Sequence, residues 1–231
     1  MQNVTMSPLF KVDAYKICHH MMYPKNLVVL ESNLTARSDK RFHGTSCWDH
    51  KVVVAGPIAF AKKYLIEDFD RNFFGRSEDD AIAEYQVIMD GIFGEGAVTT
   101  QHLRDLHQLG RLPIKLEGLP EGSRVNIGVP LVRIKNTVRG YGWLTNYLET
   151  LMSNVLWPLI TNATIAYEFR RVLDAYAKET VGHVDPFVVG YQAHDFSLRG
   201  LLGGRDGLTN IGHLFCFIGS DNIPSIVAAN N

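Results

Sequence analysis

The sequence predicts an α/β protein: a mixed amino-terminal domain with a small antiparallel sheet, followed by the start of an incomplete (β/α) barrel. Three observations predict it. Apolar residues recur at three- and four-residue steps over several segments, the spacing of amphipathic helices. Between residues 113 and 136, short β-rich runs are divided by Pro-Glu-Gly and Gly-Val-Pro, as in a small antiparallel sheet. After residue 187, two strand–loop–helix units follow one another, which is how a parallel sheet or a (β/α) barrel opens. Two units cannot close a barrel, so the chain reads as unfinished. The expected boundary separates a mixed domain over 1–180 from the first barrel units over 181–231.

Composition narrows the function classes. With 231 residues, 46% of them apolar, the chain has ample material for a core and is not intrinsically disordered. Lys and Arg number 23 against 24 Asp and Glu, and they are scattered, so no global charge points to nucleic acid. No run reaches the roughly 20 apolar residues of a bilayer span. The first 23 residues contain Lys11, Asp13 and Lys16 and lack the apolar centre of a signal peptide. Cys18, Cys47 and Cys216 are too far apart for a metal knuckle and odd in number for a disulfide framework. A soluble cytoplasmic protein is expected.

The elements follow in order. Residues 13–23 read as a short helix capped by Asp13 and closed by Pro24. Residues 27–37 are rich in β-formers and predict a strand. From Pro57, the apolar positions Ile58, Phe60, Ala61, Tyr64, Leu65 and Phe69 predict a helix that tolerates proline in its first turn. Helices over 77–93 and 99–109 are expected, capped by Ser77 and Thr99 and followed by Gly94 and Gly110. Short strands are expected over 113–118, 123–127 and 130–136, then two helices over 143–156 and 164–178. Strands at 187–191 and 214–217 bracket a loop and helix over 197–212, and a last helix begins at Asn222.

The densest group of reactive side chains is His194-Asp195-Phe196-Ser197-Leu198-Arg199-Gly200, just after the strand predicted at 187–191. Ligands of parallel α/β folds gather at the carboxyl ends of strands. There Arg199 is suited to grip a phosphate and Phe196 to face a planar ligand; equally, Phe196 is a core residue and His194-Asp195 fixes a turn. Gly219-Ser220-Asp221 follows the second predicted strand, which puts Asp221 on the same rim or makes it a helix cap. The glycine-rich stretch 200–207 lacks both the Gly-Lys-Ser/Thr ending of a Walker loop and a Gly-x-Gly-x-x-Gly fingerprint, and reads as a flexible loop. None of the nine histidines stands in a His-Glu-x-x-His spacing, and His19-His20 reads as a surface or capping pair. Neither a Gly-x-Ser-x-Gly elbow nor a Cys-His pairing argues for acyl transfer.

Eight blocks taken together resemble the nicotinate/nicotinamide phosphoribosyltransferase family. They are Asp13-Ala-Tyr-Lys-Ile-Cys-His19, Tyr23-Pro24, Glu31 through Arg37, Leu119-Pro-Glu-Gly122, Trp143-Leu-Thr-Asn-Tyr-Leu-Glu-Thr150, Trp157-Pro158, His194-Asp-Phe-x-x-Arg-Gly200 and Gly219-Ser-Asp221. They fall in the family's order at nearly its spacings and span almost the whole chain.

The resemblance implies transfer of phosphoribosyl from 5-phosphoribosyl-1-pyrophosphate to the ring nitrogen of nicotinamide, with Mg²⁺ accompanying the pyrophosphate. It implies that Phe196 covers one face of the pyridine and Tyr15 of a second subunit the other, so a homodimer is expected. It places Arg199 near base and phosphate, Arg37 across the dimer at phosphate, and Asp13 and Lys16 in the same substrate-binding set; a surface arginine and a solvated helix lysine are the plain alternatives for Arg37 and Lys16. Asp221 would accept the carboxamide N–H and repel a nicotinate carboxylate. Two like charges about 4 Å apart at an effective dielectric near 20 cost on the order of 4 kcal/mol, more than the roughly 1.4 kcal/mol of a tenfold preference. Nicotinate as substrate, or a noncatalytic interaction module, are the competing readings. Family members are longer and carry further catalytic residues downstream, so the chain reads as the amino-terminal portion, paired with itself or with a missing carboxyl-terminal half, and weak or absent catalysis is expected of it alone.

Overall fold

The computed structural model describes residues 6–42, 48–200 and 207–230. Cys47 and the glycine-rich stretch 201–206, where a flexible loop is expected, lie outside them. The chain is a mixed, helix-rich α/β fold with small sheets. One sheet has three strands in the order β1 (Glu31–Thr35), β5 (Pro130–Asn136) and β3 (Ile114–Gly118). The other pairs β2 (Lys51–Val53) antiparallel with β4 (Arg124–Asn126), with Val52 opposite Val125. The three β-rich runs expected to share one sheet are therefore divided between two, because an unpredicted strand at 51–53 takes β4 as its partner.

Two compact units alternate along the chain. The first comprises Met1–Asn33, Ile58–Glu117 and Arg133–Ser153. Its first helix, α1 (Ala14–Ile17), gives way to a 3-10 turn at Cys18–Met21, where His20 Nδ1 meets the Ile17 carbonyl at 2.9 Å. The strand expected over 27–37 shortens to β1 because the buried Asn136 side chain takes over residues 28–30. Its carboxamide accepts from Leu30 N–H at 2.8 Å and donates to the Val28 carbonyl at 2.9 Å, replacing ladder bonds. The helix from Pro57 starts as α2 (Pro57–Phe60) and continues with π-helical turns at Ala61–Glu67 and Asp70–Phe74. Its buried positions Phe60, Leu65, Phe69 and Phe73 show why: the step from Phe60 to Leu65 is five residues, which a wider turn brings back onto one face.

Helix α3 (Glu78–Phe93) begins as predicted, with Ser77 Oγ accepting from Asp80 N–H at 3.2 Å and three acids in the first turn, favourable at the positive end of the helix dipole. Helix α4 (Gln101–Leu109) is capped at Thr100 without a side-chain bond, not at Thr99, whose hydroxyl meets His20 Nε2 at 3.3 Å.

The second unit comprises Leu34–Pro57, Gly118–Val132 and Asn154–Asn231. The two helices expected over 143–156 and 164–178 are one, α5 (Trp143–Val181), running through Pro158. An interior proline costs about 3 kcal/mol; burial of Leu156, Leu159, Ile160 and Ala163 along the same stretch offsets it. Thr164 fastens β2 to this helix, its hydroxyl accepting from Val53 N–H at 3.0 Å.

No strand follows β5 among the described residues. The strand expected at 187–191 is instead a helix, α6 (Pro186–Gly190), because Asp185 caps it by accepting from Phe187 and Val188 N–H and Pro186 supplies the preset first-turn φ. The strand expected at 214–217 is the end of a 3-10 segment, Leu208–Phe215. The last helix, α7 (Ile223–Ala229), is capped by Asn222, and so not by Ser220 or Asp221. No helix among the described residues is long and apolar enough to cross a membrane.

Candidate functional site

The loops after α6 and after the Leu208–Phe215 segment run side by side in the second unit. The Gly190 carbonyl accepts from Ile218 N–H at 2.8 Å and Gly219 N–H at 3.2 Å, and the Asp195 carbonyl accepts from Asp221 N–H at 3.2 Å. Both partners advance along the chain together, so the segments run in the same direction. The sequence placed His194–Gly200 and Gly219–Asp221 on one rim by way of two strands; the adjacency is present without either strand.

Beneath the rim lies a buried polar scaffold. Asp195 is 8% exposed and Asn222 is fully buried. The Asp195 carboxylate accepts from Ser197 N–H at 2.9 Å, Asn210 Nδ2 at 2.9 Å and Asn222 Nδ2 at 3.3 Å. Burial alone would push this carboxyl up, but the hydrogen bonds from Ser197, Asn210 and Asn222 outweigh it and hold the group below its usual range. Asn210 also meets Ser197 Oγ, so the 3-10 turn Ser197–Gly200, which carries Arg199, is tied to the same carboxylate. Asn222 Oδ1 caps α7 at Ser225 N–H, and Ser225 Oγ donates to the Gly207 carbonyl at 2.8 Å. From below, His213 Nε2 donates to the Gly219 carbonyl at 2.8 Å.

Each buried member has an exposed neighbour. Phe196 follows Asp195 and is 69% exposed, so it is not a core residue. Asp221 precedes Asn222 and is likewise exposed. Between them stands His194: Nδ1 lies 2.9 Å from Asp221 Oδ2, and its ring centroid is 6.3 Å from that of Phe196 with planes 30° apart. The structure thus brings Phe196 and Asp221 together through one imidazole, with exposed Arg199 on the adjoining turn. An aromatic face, an acceptor carboxylate and a guanidinium form a set suited to a flat amide-bearing ring next to a phosphate.

The remaining predicted residues stand elsewhere. Arg37 is exposed, two residues beyond β1. In the first unit Tyr15 is 64% exposed on α1. Lys16, beside it, is not a solvated lysine: it is 6% exposed, with Nζ 2.6 Å from Glu149 Oε2 and 3.1 Å from the Asn146 carbonyl. Asp13 precedes α1 but makes no capping bond; its carboxylate accepts from Thr150 Oγ1 at 2.6 Å. Lys16 and Asp13 therefore anchor α1 to the first turns of α5, and Tyr15 points outward. His19 bonds Asn146 and His20 stacks on His102 at 3.8 Å, so these are not a surface pair. Sequence reasoning passed over Asn210 and His213, and it read Asn222 as a helix start without its bond to Asp195. The asparagine before Ile223-Pro224 is a helix-start signal; Asn210 and His213 carry no local signal.

The fold is similar to that of human nicotinic acid phosphoribosyltransferase, whose crystal structure matches with a TM-score of 0.58 at 18% identity, over 95% of this chain and 36% of that one. In sequence, the chain is 40% identical over 222 residues to a nicotinamide phosphoribosyltransferase of Acinetobacter baylyi, covering 96% of this chain and 44% of the relative. It is 32% identical over 249 residues to one of Mycoplasma pneumoniae, covering 99% and 52% respectively. The chain spans about half the length of these curated relatives. No family model matches it. The resemblance read from the eight sequence blocks is borne out by these named relatives.

Proposed function

We propose that the chain is part of a nicotinamide phosphoribosyltransferase, an enzyme of NAD biosynthesis that joins nicotinamide to 5-phosphoribosyl-1-pyrophosphate to give nicotinamide mononucleotide and pyrophosphate. The observation that carries this reading is the exposed Phe196 ring joined through His194 to the Asp221 carboxylate, on a scaffold that buries the residue next to each. Phe196 stacks on the pyridine, a contact of about 0.5–1.5 kcal/mol beyond burial. Asp221 accepts the carboxamide N–H and disfavours the charged nicotinate. Arg199 holds the phosphate of substrate or product as a charge-assisted donor. Holding the ring nitrogen in line with the anomeric carbon is the larger contribution to rate.

In this reading the second ring face comes from Tyr15 of another copy in a homodimer, with Arg37 reaching phosphate in the same way; the outward presentation of Tyr15 supports it. Pairing with a separate carboxyl-terminal half is the other arrangement. In the same reading residues 181–231 correspond to the opening of a (β/α) barrel; the same-direction backbone bonds of 190–195 with 218–221 support that correspondence, although the segments themselves are a helix, 3-10 turns and loops rather than strands. The location is cytoplasmic. Mg²⁺ accompanies the diphosphate substrate.

Because the chain spans 44% of the length of its Acinetobacter relative, the test is binding by titration calorimetry. The chain should take nicotinamide in preference to nicotinate. Phe196→Ala should weaken both bases, and Asp221→Asn should narrow the preference. A wild-type chain that binds neither base, or variants that bind both like wild type, would overturn the reading.

A further inference from the structure

We propose that His194 is a positioning residue that fixes the Asp221 carboxylate and thereby sets base selectivity, and that Gly219 is the platform on which it sits. The inference rests on the reading of Asp221 as the acceptor of the base's carboxamide.

The geometry begins with the 2.9 Å contact between His194 Nδ1 and Asp221 Oδ2. A carboxylate only accepts, so the proton of this bond is on Nδ1. The bond engages Oδ2 and leaves Oδ1 to receive an N–H from a ligand. Both side chains remain part-exposed, at 39% and 48%. The pair therefore does not rescue a buried charge. What it fixes is the rotamer of an acid that would otherwise swing into water.

The other edge of the imidazole packs over Gly219. A Cβ on Gly219 would lie 2.5 Å from His194 Nε2 and 2.8 Å from Cδ2, so the ring rests directly on that glycine's backbone. Gly219 is itself immobilised, its N–H on the Gly190 carbonyl and its carbonyl on His213. The imidazole is thus wedged between a fixed backbone and the acid, with Phe196 alongside. Charge repulsion excludes nicotinate only while Asp221 stays at the ring. A carboxylate free to rotate away relieves that repulsion and at the same time loses the amide.

The experiment measures nicotinamide and nicotinate affinities of the 231-residue chain by calorimetry, together with the His194 tautomer by long-range ¹H–¹⁵N spectra. Wild type should show the Nδ1–H form, and Asp221→Ala should lose it. His194→Ala should shrink the nicotinamide-to-nicotinate affinity ratio about tenfold. His194→Asn, whose Nδ2 can stand near the position of Nδ1, should recover much of the ratio. Gly219→Ala should reproduce the His194→Ala effect with both partner side chains intact. An unchanged ratio in His194→Ala, or an Nε2–H tautomer in wild type, overturns this inference and leaves the proposed function standing. A wild-type chain that binds neither base overturns both.

Discussion

The Asp195 carboxylate and the Asn222 carboxamide meet at 3.3 Å inside the second unit, and each is one residue from an exposed side chain of the candidate site. Asn222 does two jobs, capping α7 at Ser225 N–H and donating to Asp195. Removing a cap costs about 1 kcal/mol, and losing a bond to a buried charged group about 1.5–3 kcal/mol. Asn222→Ala should therefore destabilise the chain by about 2–4 kcal/mol in denaturant titrations. Asn222→Asp separates the two jobs: it caps equally well but sets a second carboxylate against Asp195. It should also destabilise at neutral pH and recover as the medium is acidified to the carboxylate range. Equal stability of Asn222→Asp and wild type at neutral pH would contradict the donor role.

Asp195 also predicts an acid limb. Its folded carboxyl lies below the usual 3.8, so the unfolded chain takes up a proton first as pH falls. The stabilisation is complete above the unfolded value and is lost as pH drops through the folded one. Asp195→Asn should flatten the stability profile in that range only, measured by unfolding at stepped pH.

Local sequence patterns carry only part of this arrangement. Phe196 and Asp221 stood out because each follows a β-branched or apolar run, yet Val188-Val189 lies in a helix begun by Asp185-Pro186. The cap and the proline outweighed β propensity, which reports packing more than backbone preference. Pro158 was legible as a break only if its neighbours were solvent-facing; Leu156, Leu159 and Ile160 are buried and hold α5 together. The start of β1 depended on Asn136, more than 100 residues away in sequence, which no window on 27–37 contains. Ser77, by contrast, caps α3 through residues three positions on, and that helix was readable almost to its ends.

Gly207 has φ +64°, and a Cβ there would lie 2.1 Å from the Pro224 carbonyl carbon. Backbone cannot retreat as a flexible side chain would, so Gly207→Ala must shift the start of α7 and with it Asn222. A left-handed residue with a side chain costs about 1 kcal/mol before any clash, and the close approach adds to it. The variant should lose at least about 2 kcal/mol and weaken nicotinamide binding, read by calorimetry on the folded fraction.

His102, on α4 in the first unit, predicts a pH dependence at milder acidity. Among the described residues neither ring nitrogen has a hydrogen-bond partner; both are buried, and the ring stacks on His20 at 3.8 Å and meets Trp143 edge-on. Burial, then the neighbouring His20, pull its pKa from 6.5 to about 3. The unfolded chain therefore binds a proton that the fold refuses. Stability should be complete above pH 6.5 and fall by about 2 kcal/mol on going to about pH 5. His102→Phe keeps a flat ring at the stack without the titration, and should remove most of that slope. A slope unchanged in the variant would place its source elsewhere.

Lys16 and Glu149 form an ion pair at the foot of α1. The ammonium is buried at 5% side-chain exposure while its partner carboxylate is 32% exposed, so the two halves of the pair are not equivalent. Glu149→Ala leaves a buried cation with the Asn146 carbonyl at 3.1 Å and the Tyr15 ring face at 5.8 Å but no counter-charge among its contacts in the described residues. Breaking one side of a buried pair costs about 3–5 kcal/mol, and the partial exposure of Glu149 reduces this to about 2 kcal/mol. Lys16→Met removes the charge along with the need to solvate it and keeps the apolar stem that fills the same space. Glu149→Ala should therefore lower the thermal midpoint more than Lys16→Met does, and the double variant should resemble Lys16→Met. Since the pair anchors α1, which carries Tyr15, Glu149→Ala should also loosen amide protection across Ala14–Ile17 in hydrogen exchange. If Lys16→Met proves the more damaging change, the ammonium is needed for something other than its bond to Glu149.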